Sequence, residues 1–321
     1  MDWLNLKAAL LAEGRVKIAG LPPGAFLASS TAGPGAGGKG SVFFSVEGRR
    51  VRLAVDPDAP LVLIHEGKGN AAIPFSGEMV RGVLEAPAFH CPRQAYITLS
   101  EDCIFSCRYC AVPGSGGRTK TAAEVAAMVR SALNRIDAVS LTSGVAGSVE
   151  EEERRALDVV RALTPFGLPI GVSIYPTRNT PRLLWEAGVV EVKFNIEAAT
   201  PGLFAEMCPG LDLALLWEVL GASVRLFGKN HVQSNVIVGL GESDDEMEAT
   251  VERLCRMGVI PVLRPLTPSA GLSQYCRPDA SRLLGLHAVA AREMAAAGLD
   301  AKRALTMCAA CTGCNLIPGR D

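Results

Sequence analysis

AYITLSEDCIFSCRYC occupies residues 95–110, TAAEVAAMVRSALNRI residues 121–136 and AVSLTSG residues 138–144. The first and last stretches are built on short apolar runs of strand length, and the middle one repeats apolar residues at helical spacing. Strand, helix and strand in that order make a βαβ unit, whose two strands run parallel. The pattern continues with four more apolar runs, IGVSIYP (170–176), VEVKFNIE (190–197), VQSNVIVGL (232–240) and IPVLRPL (260–266). Helical stretches fall between them at 151–163, 180–188, 214–228 and 244–258, and a last one at 281–298. Gly188, Gly228, Gly258 and Gly298 each close a helix, the usual place for glycine. Six strand–helix repeats predict an α/β fold, most naturally a partial (β/α)6 TIM-type barrel; an open doubly wound sheet has the same alternation.

Residues 1–93 read as a small β-rich extension. A helix is expected at 3–13, two strands around a Glu47–Gly48 turn within 41–55, and a third strand with another turn within 60–70. The glycine-rich TAGPGAGGKGS (31–41) approaches a phosphate-binding loop, but Gly40 stands where that motif needs a hydroxyl. A flexible loop or lid over the barrel mouth is the better reading. The expected organisation is therefore a β-rich region at 1–93, a barrel at 94–298 and a cysteine-rich tail at 299–321.

Composition narrows the function. Lys+Arg number 32 against 33 Asp+Glu, a net charge of −1, which argues against nucleic acid or an anionic membrane surface as partner. Mean hydropathy is +0.24, yet no apolar run of about 18 residues appears, so a spanning helix is not expected. Charges interrupt the N-terminal apolar stretch, which does not read as a signal peptide, and a cytoplasmic location is expected. Ten cysteines in such a chain point to metal or redox chemistry rather than disulfides.

Six of the ten form two sets. Cys103, Cys107 and Cys110 make a C-x3-C-x2-C run just after the first barrel strand, at the strand end where parallel α/β folds place their active sites. Three thiolates on a short loop can hold three corners of a [4Fe–4S] cube and leave one iron open. A zinc knuckle with His90 as fourth ligand is the alternative. Cys308, Cys311 and Cys314 make a C-x2-C-x2-C run among small residues. It suits a second cubane or, with Cys276, a zinc site. Cys91 precedes the first strand and could touch the site or be a structural thiol. Cys208 and Cys255 fall on helices and suggest packing, and His65, His231 and His287 read as isolated structural histidines.

The first cysteine run, with Tyr109 before its last member, resembles the radical S-adenosylmethionine superfamily. The resemblance implies that Cys103, Cys107 and Cys110 hold a [4Fe–4S] cluster whose open iron binds S-adenosylmethionine. It also implies a 5′-deoxyadenosyl radical that abstracts hydrogen from an unactivated C–H. Within the same resemblance, Tyr109, Thr142, Ser143, Gly144 and Ser173 are expected to line the cofactor pocket. Phe194-Asn195-Ile196-Glu197 and Val238-Gly239-Leu240-Gly241-Glu242 are similar to stretches of biotin and lipoyl synthases. That similarity brings Asn195, Glu197, Gly239 and Gly241 to the cofactor or substrate. Arg264, alone among apolar residues, could meet a substrate carboxylate, a cluster or a structural ion-pair partner. The similarity implies a sulfurtransferase reaction fed by a second, auxiliary [4Fe–4S] cluster on Cys308, Cys311 and Cys314. A reductant such as ferredoxin or flavodoxin would serve it, with a small-molecule or carrier-protein-bound acyl substrate. The departure is that lipoyl synthases carry their auxiliary cysteines ahead of the radical motif. A radical rearrangement, cleavage or cofactor-maturation reaction, with the second cluster as anchor or electron relay, is the competing expectation.

Overall fold

The computed structural model describes residues 2–28, 40–114, 116–268 and 270–321. After a first helix, α1 (Trp3–Glu13), come six strands: β1 (Arg15–Gly20), β2 (Ser41–Val46), β3 (Arg49–Val55), β4 (Val62–Gly67), β5 (Asn70–Phe75) and β6 (Glu78–Glu85). They close into a small barrel in the order β1-β3-β2-β6-β5-β4. Closure leaves no sheet edge exposed. The β2–β3 turn falls on Glu47 and Gly48, both at positive φ, which suits a tight hairpin. Val42, Phe44, Val51, Leu53, Leu63 and Ile73 fill the core of this region. The glycine-rich 33–40 stretch lies, apart from Gly40, outside the described residues.

The second sheet has six parallel strands: β7 (Arg93–Thr98), β8 (Ile136–Thr142), β9 (Ile170–Ser173), β10 (Glu191–Lys193), β11 (Val232–Val238) and β12 (Ile260–Pro265). They pair in strict chain order. A doubly wound sheet reverses order at a switch point; a sequential one curls, and the result here is a half-barrel. Helices α2 (Ala122–Ala132), α3 (Val149–Leu163), α4 (Thr180–Glu186), α5 (Pro201–Met207), α6 (Leu213–Phe227), α7 (Asp244–Met257) and α8 (Ala280–Ala297) connect or follow the strands. Thr121, Ser148 and Ser243 each form a full capping box at a helix start. Gly258 and Gly298 end α7 and α8 in the left-handed conformation. No helix among the described residues is long and apolar enough to cross a membrane.

The C-terminal tail stoppers the half-barrel from the N-terminal side of its strands. A short helix, α9 (Met307–Cys311), carries the first two tail cysteines. Four polar side chains on the strands grip it. The buried Glu191 carboxylate accepts the Leu305 and Thr306 amides at 2.7 and 2.9 Å and the Thr306 hydroxyl at 2.6 Å. The Met307 amide donates to Gln94 Oε1 at 2.8 Å and to Ser140 Oγ at 2.9 Å. Gln233 accepts from Ala309 N–H at 3.1 Å and donates to the Thr306 carbonyl at 3.2 Å. Gly171 has to be glycine because a Cβ there would collide with the Thr306 side chain. On its other side the tail meets the small barrel. The Gly313 carbonyl accepts from Arg52 N–H at 2.7 Å, and a Cβ on Gly313 would come within 2.6 Å of the Phe43 ring. Lys7, fully buried on α1, donates to the Thr312 carbonyl at 2.6 Å and pairs with Asp321 at 2.5 Å.

Removing the Glu191 carboxylate leaves three buried donors without their acceptor, and hydrogen bonds to a charged group are among the costlier to lose. Glu191→Ala should therefore destabilise the chain by about 3 kcal/mol in urea unfolding, against less than about 1 kcal/mol for exposed Glu186→Ala. Equal midpoints for the two variants would show that the carboxylate does not hold the tail.

Candidate active site

The loop after β7 carries the first cysteine set to the C-terminal mouth of the half-barrel. Loop and mouth fit closely: Ile104 N–H donates to the Val145 carbonyl at 2.7 Å, and Val145 N–H donates to Cys103 Sγ at 3.4 Å. A Cβ on Gly144 would run into the Asp102 carbonyl oxygen, so glycine is what lets the loop lie against the end of β8. Cys103, Cys107 and Cys110 line one cavity of about 910 Å³, its open mouth included. Facing them are Thr142, Ser143, Gly144, Ser173, Asn195 and Glu197. Nine of the sequence-derived positions are thus brought together, and Tyr109 is a tenth.

Their roles differ. The Ser143 hydroxyl is already engaged, donating to Glu152 and accepting from Ser100 N–H at 2.9 Å. Tyr109 is buried with its hydroxyl 3.5 Å from Cys208 Sγ. Cys208 is more than helix packing: its thiol also hydrogen-bonds Cys107, which holds the Cys107 thiol below its usual pKa despite burial. Burial pushes Cys110 up to about 11. Glu197 is buried in the left-handed backbone region, at φ 55°, a strained setting for a non-glycine residue. Burial raises its carboxyl pKa, and its Oε2 has no hydrogen-bond partner. Thr98 Oγ1 is likewise buried without one. Both side chains line the cavity. Orphaned polar atoms of this kind cost about 1–3 kcal/mol each unless something occupies the cavity.

Three other expectations are displaced. Gly239 and Gly241 form a turn at φ 109° and 111°, but neither lines this cavity. Their segment is organised by Glu242, which accepts from the Gly239 and Leu240 amides at 2.7 and 2.8 Å and pairs with Arg282 at 3.0 Å. His90 does not stand beside Cys103, because the chain turns at Pro92 and leaves it at the opposite end of β7. Cys276 is exposed and apart from the tail cysteines' chamber.

That second chamber, of about 610 Å³, lies deeper in the half-barrel and is lined by Cys308, Cys311 and Cys314. It shares Thr142, Ser173, Lys193, Asn195 and Glu197 with the first. Arg264 lines it too, as do His90 and Tyr96. Lys193 Nζ sits 3.2 Å from Cys308 Sγ and 3.3 Å from the Tyr96 hydroxyl. Burial works against the charges on Lys193 and Arg264, but the facing tail thiols outweigh it, and both pKa values are raised. Burial, with Arg52, Arg264 and Lys193 behind it, holds His90 well below its usual range, so its imidazole is neutral. Lys193 was missed in the sequence, although it shares parity with Asn195 and Glu197 in a buried strand.

Among the described residues no group of three His, Cys, Asp or Glu side chains converges on a site for one metal ion. The first three cysteines instead stand around a cavity wall. A cubane takes each thiolate on a different iron, so the donor set fits a cluster with one open corner better than a zinc knuckle.

Residues 97–254 match the family model described as the radical SAM superfamily. Residues 97–254 thus form a radical SAM superfamily domain, a family that implies a [4Fe–4S] cluster and S-adenosylmethionine. Its fold is similar to that of a radical SAM methyltransferase from Sphaerobacter thermophilus (TM-score 0.53, 17% identity, 80% of this chain and 70% of that one). It is also similar to methylornithine synthase PylB (0.52, 16%, 63% and 61%). A third likeness is to the FeFe-hydrogenase maturase HydG from Carboxydothermus hydrogenoformans (0.52, 17%, 64% and 52%). The chain spans about half the length of several structures it resembles. A search of curated proteins finds no match.

Gly144→Ala should displace the cysteine loop. Overpacking of this kind costs about 1–3 kcal/mol, and the variant should retain under half the loop-bound iron after anaerobic reconstitution. Exposed Glu186→Ala, away from this cavity, should retain it. Full iron retention by Gly144→Ala would show that the loop tolerates the displacement.

Proposed function

We propose that this chain is a radical SAM enzyme that inserts sulfur at an unactivated carbon, with Cys103, Cys107 and Cys110 holding the catalytic cluster and Cys308, Cys311 and Cys314 an auxiliary one. The observation that carries the reading is the pair of adjoining chambers, each lined by one cysteine set and divided by the same five side chains. When bound, the first cluster and S-adenosylmethionine supply hydrogen abstraction, and the second supplies sulfur.

The chain's own residues do the rest. Thr98 and Glu197 offer partnerless oxygens to hydroxyl or amine donors of a ligand in the upper chamber. Gly144 brings the β8 end against the cysteine loop. Asn195 and Glu197, common to both chambers, orient whatever lies between them. The tail covers the N-terminal end of the half-barrel, which limits the access of water to a radical from that side. The likeness to sulfur-inserting synthases in VGLGE and FNIE supports the same reading. In this scheme residues 94–298 form the barrel, 299–321 the auxiliary tail and 1–93 a β-rich cover for it.

A second reading has its own observation. Lys193 and Arg264 put two cations into the lower chamber, suited to anchoring a carboxylate during a rearrangement, cleavage or maturation reaction in which the auxiliary cluster persists.

Reconstitution with heavy-isotope sulfide, followed by turnover on an octanoyl-lysine peptide or dethiobiotin under strong reductant, separates the two. Sulfur insertion predicts heavy sulfur in the product and loss of tail-bound iron in step with it, with Cys103→Ala abolishing 5′-deoxyadenosine formation. Tail-bound iron that survives many turnovers, with S-adenosylmethionine still cleaved, would move the assignment to the second reading.

A further inference from the structure

The tail supplies three thiols, and the fold brings a fourth. We propose that Cys91 is the fourth thiolate of the Cys308–Cys311–Cys314 site, completing it for an iron–sulfur cluster with no open iron. This rests on the auxiliary-cluster reading above.

Cys91 is fully buried at the foot of β7, packed with Cys311 against Ala28 and Phe43. Its thiol is within hydrogen-bonding reach of Cys311. One residue fixes both partners: the backbone of Gln94 bridges to Cys91, while its side chain holds the Met307 amide at 2.8 Å and carbonyl at 3.3 Å. Cys91 and the tail helix are thereby set in one register, with Cys91 packed behind Cys311 against Phe43, and Cys308 on the Lys193 side.

Two further observations point to an occupant. Asn235 and Asn315 line the chamber, are 3% and 2% exposed, and each leaves its Oδ1 without a hydrogen-bond partner. The amide N–H groups are donors of the kind that hydrogen-bond cluster sulfurs, and the unpartnered oxygens mark places left for a donor. Cations also surround the thiols. Lys193 lies beside Cys308, Arg264 faces Cys308 and Cys314, and Lys7 and Arg50 face Cys311. A four-thiolate cluster carries net negative charge, and burying it requires such compensation.

The competing donors are less well placed. Cys276 is exposed. His90 lines the chamber, but its Nε2 lies 3.4 Å from Arg52 Nη1, a donor-only group that occupies the ring's lone pair.

The test is anaerobic reconstitution of the full chain with iron and sulfide. Iron, sulfide and zinc are counted, and EPR spectra recorded, for wild type, Cys91→Ala, Cys91→Ser, Cys276→Ala and the Cys308/Cys311/Cys314→Ala triple variant. Two clusters give about eight irons in wild type and about four in the triple variant. Cys91→Ala should lose between one and four irons, with a three-iron EPR signal if one corner alone is lost. Cys91→Ser, which preserves size, should keep a cluster with an altered spectrum. Cys276→Ala should match wild type. Circular dichroism of the apo forms checks that each variant folds. If both Cys91 variants match wild type in iron and spectrum, the Cys91 assignment is overturned while the auxiliary cluster stands. If wild type and the triple variant hold equal iron, or differ by one zinc, the auxiliary-cluster reading fails and this one with it.

Discussion

The grip of four strand side chains on the returning tail is the interaction on which the architecture depends. A half-barrel of six parallel strands has a lumen open at both ends. Its upper end has to admit ligands; its lower end has to be shut, because buried backbone groups and polar side chains otherwise face a void. Glu191, Gln94, Ser140 and Gln233 are buried polar residues on these strands. They are tolerable because the tail backbone satisfies them. Once the tail is seated, three cysteines are delivered into the lumen beneath the loop cysteines, and the small barrel has a surface to close against.

This arrangement explains why two chambers share a wall. Side chains at alternate positions of a strand point the same way. Lys193 ends β10, and Asn195 and Glu197 follow at alternate positions just beyond it; all three line both chambers. Their chemistry changes along the chain, from a cation beside a thiol to a strained, buried carboxyl with one oxygen unsatisfied. The gradient follows from burial and from which cysteine set lies nearest.

Much of this was legible in the sequence, and the rest was hidden for physical reasons. The alternation of strands and helices gave the half-barrel, because buried parallel strands are apolar on both faces and stand out as runs. The closure of β1–β6 into a barrel was not readable, since pairing of β1 with both β3 and β4 is a long-range register choice. The loop cysteines and the ends of β8, β9 and β10 were found through local spacing. His90 and Cys91 precede β7 and so lie at the strand end away from the loop cysteines, and no local spacing ties them to the distant tail. Gly239 and Gly241 show the converse: a glycine turn requires positive φ whether or not a ligand approaches it, so the motif alone does not fix its neighbour.

The contacts of the tail also carry a consequence for the order of assembly. Gly313 packs on Phe43, and the Thr312 carbonyl accepts from Lys7, so residues far apart in the sequence complete one core. Contacts across nearly the full length of a chain form last and slowly. Until residues 305–314 dock, the Glu191 carboxylate and the Gln94 and Gln233 amides lack their tail partners. An intermediate in which the half-barrel forms ahead of the tail therefore has a polar floor open to water, and docking of the tail is the step that closes it.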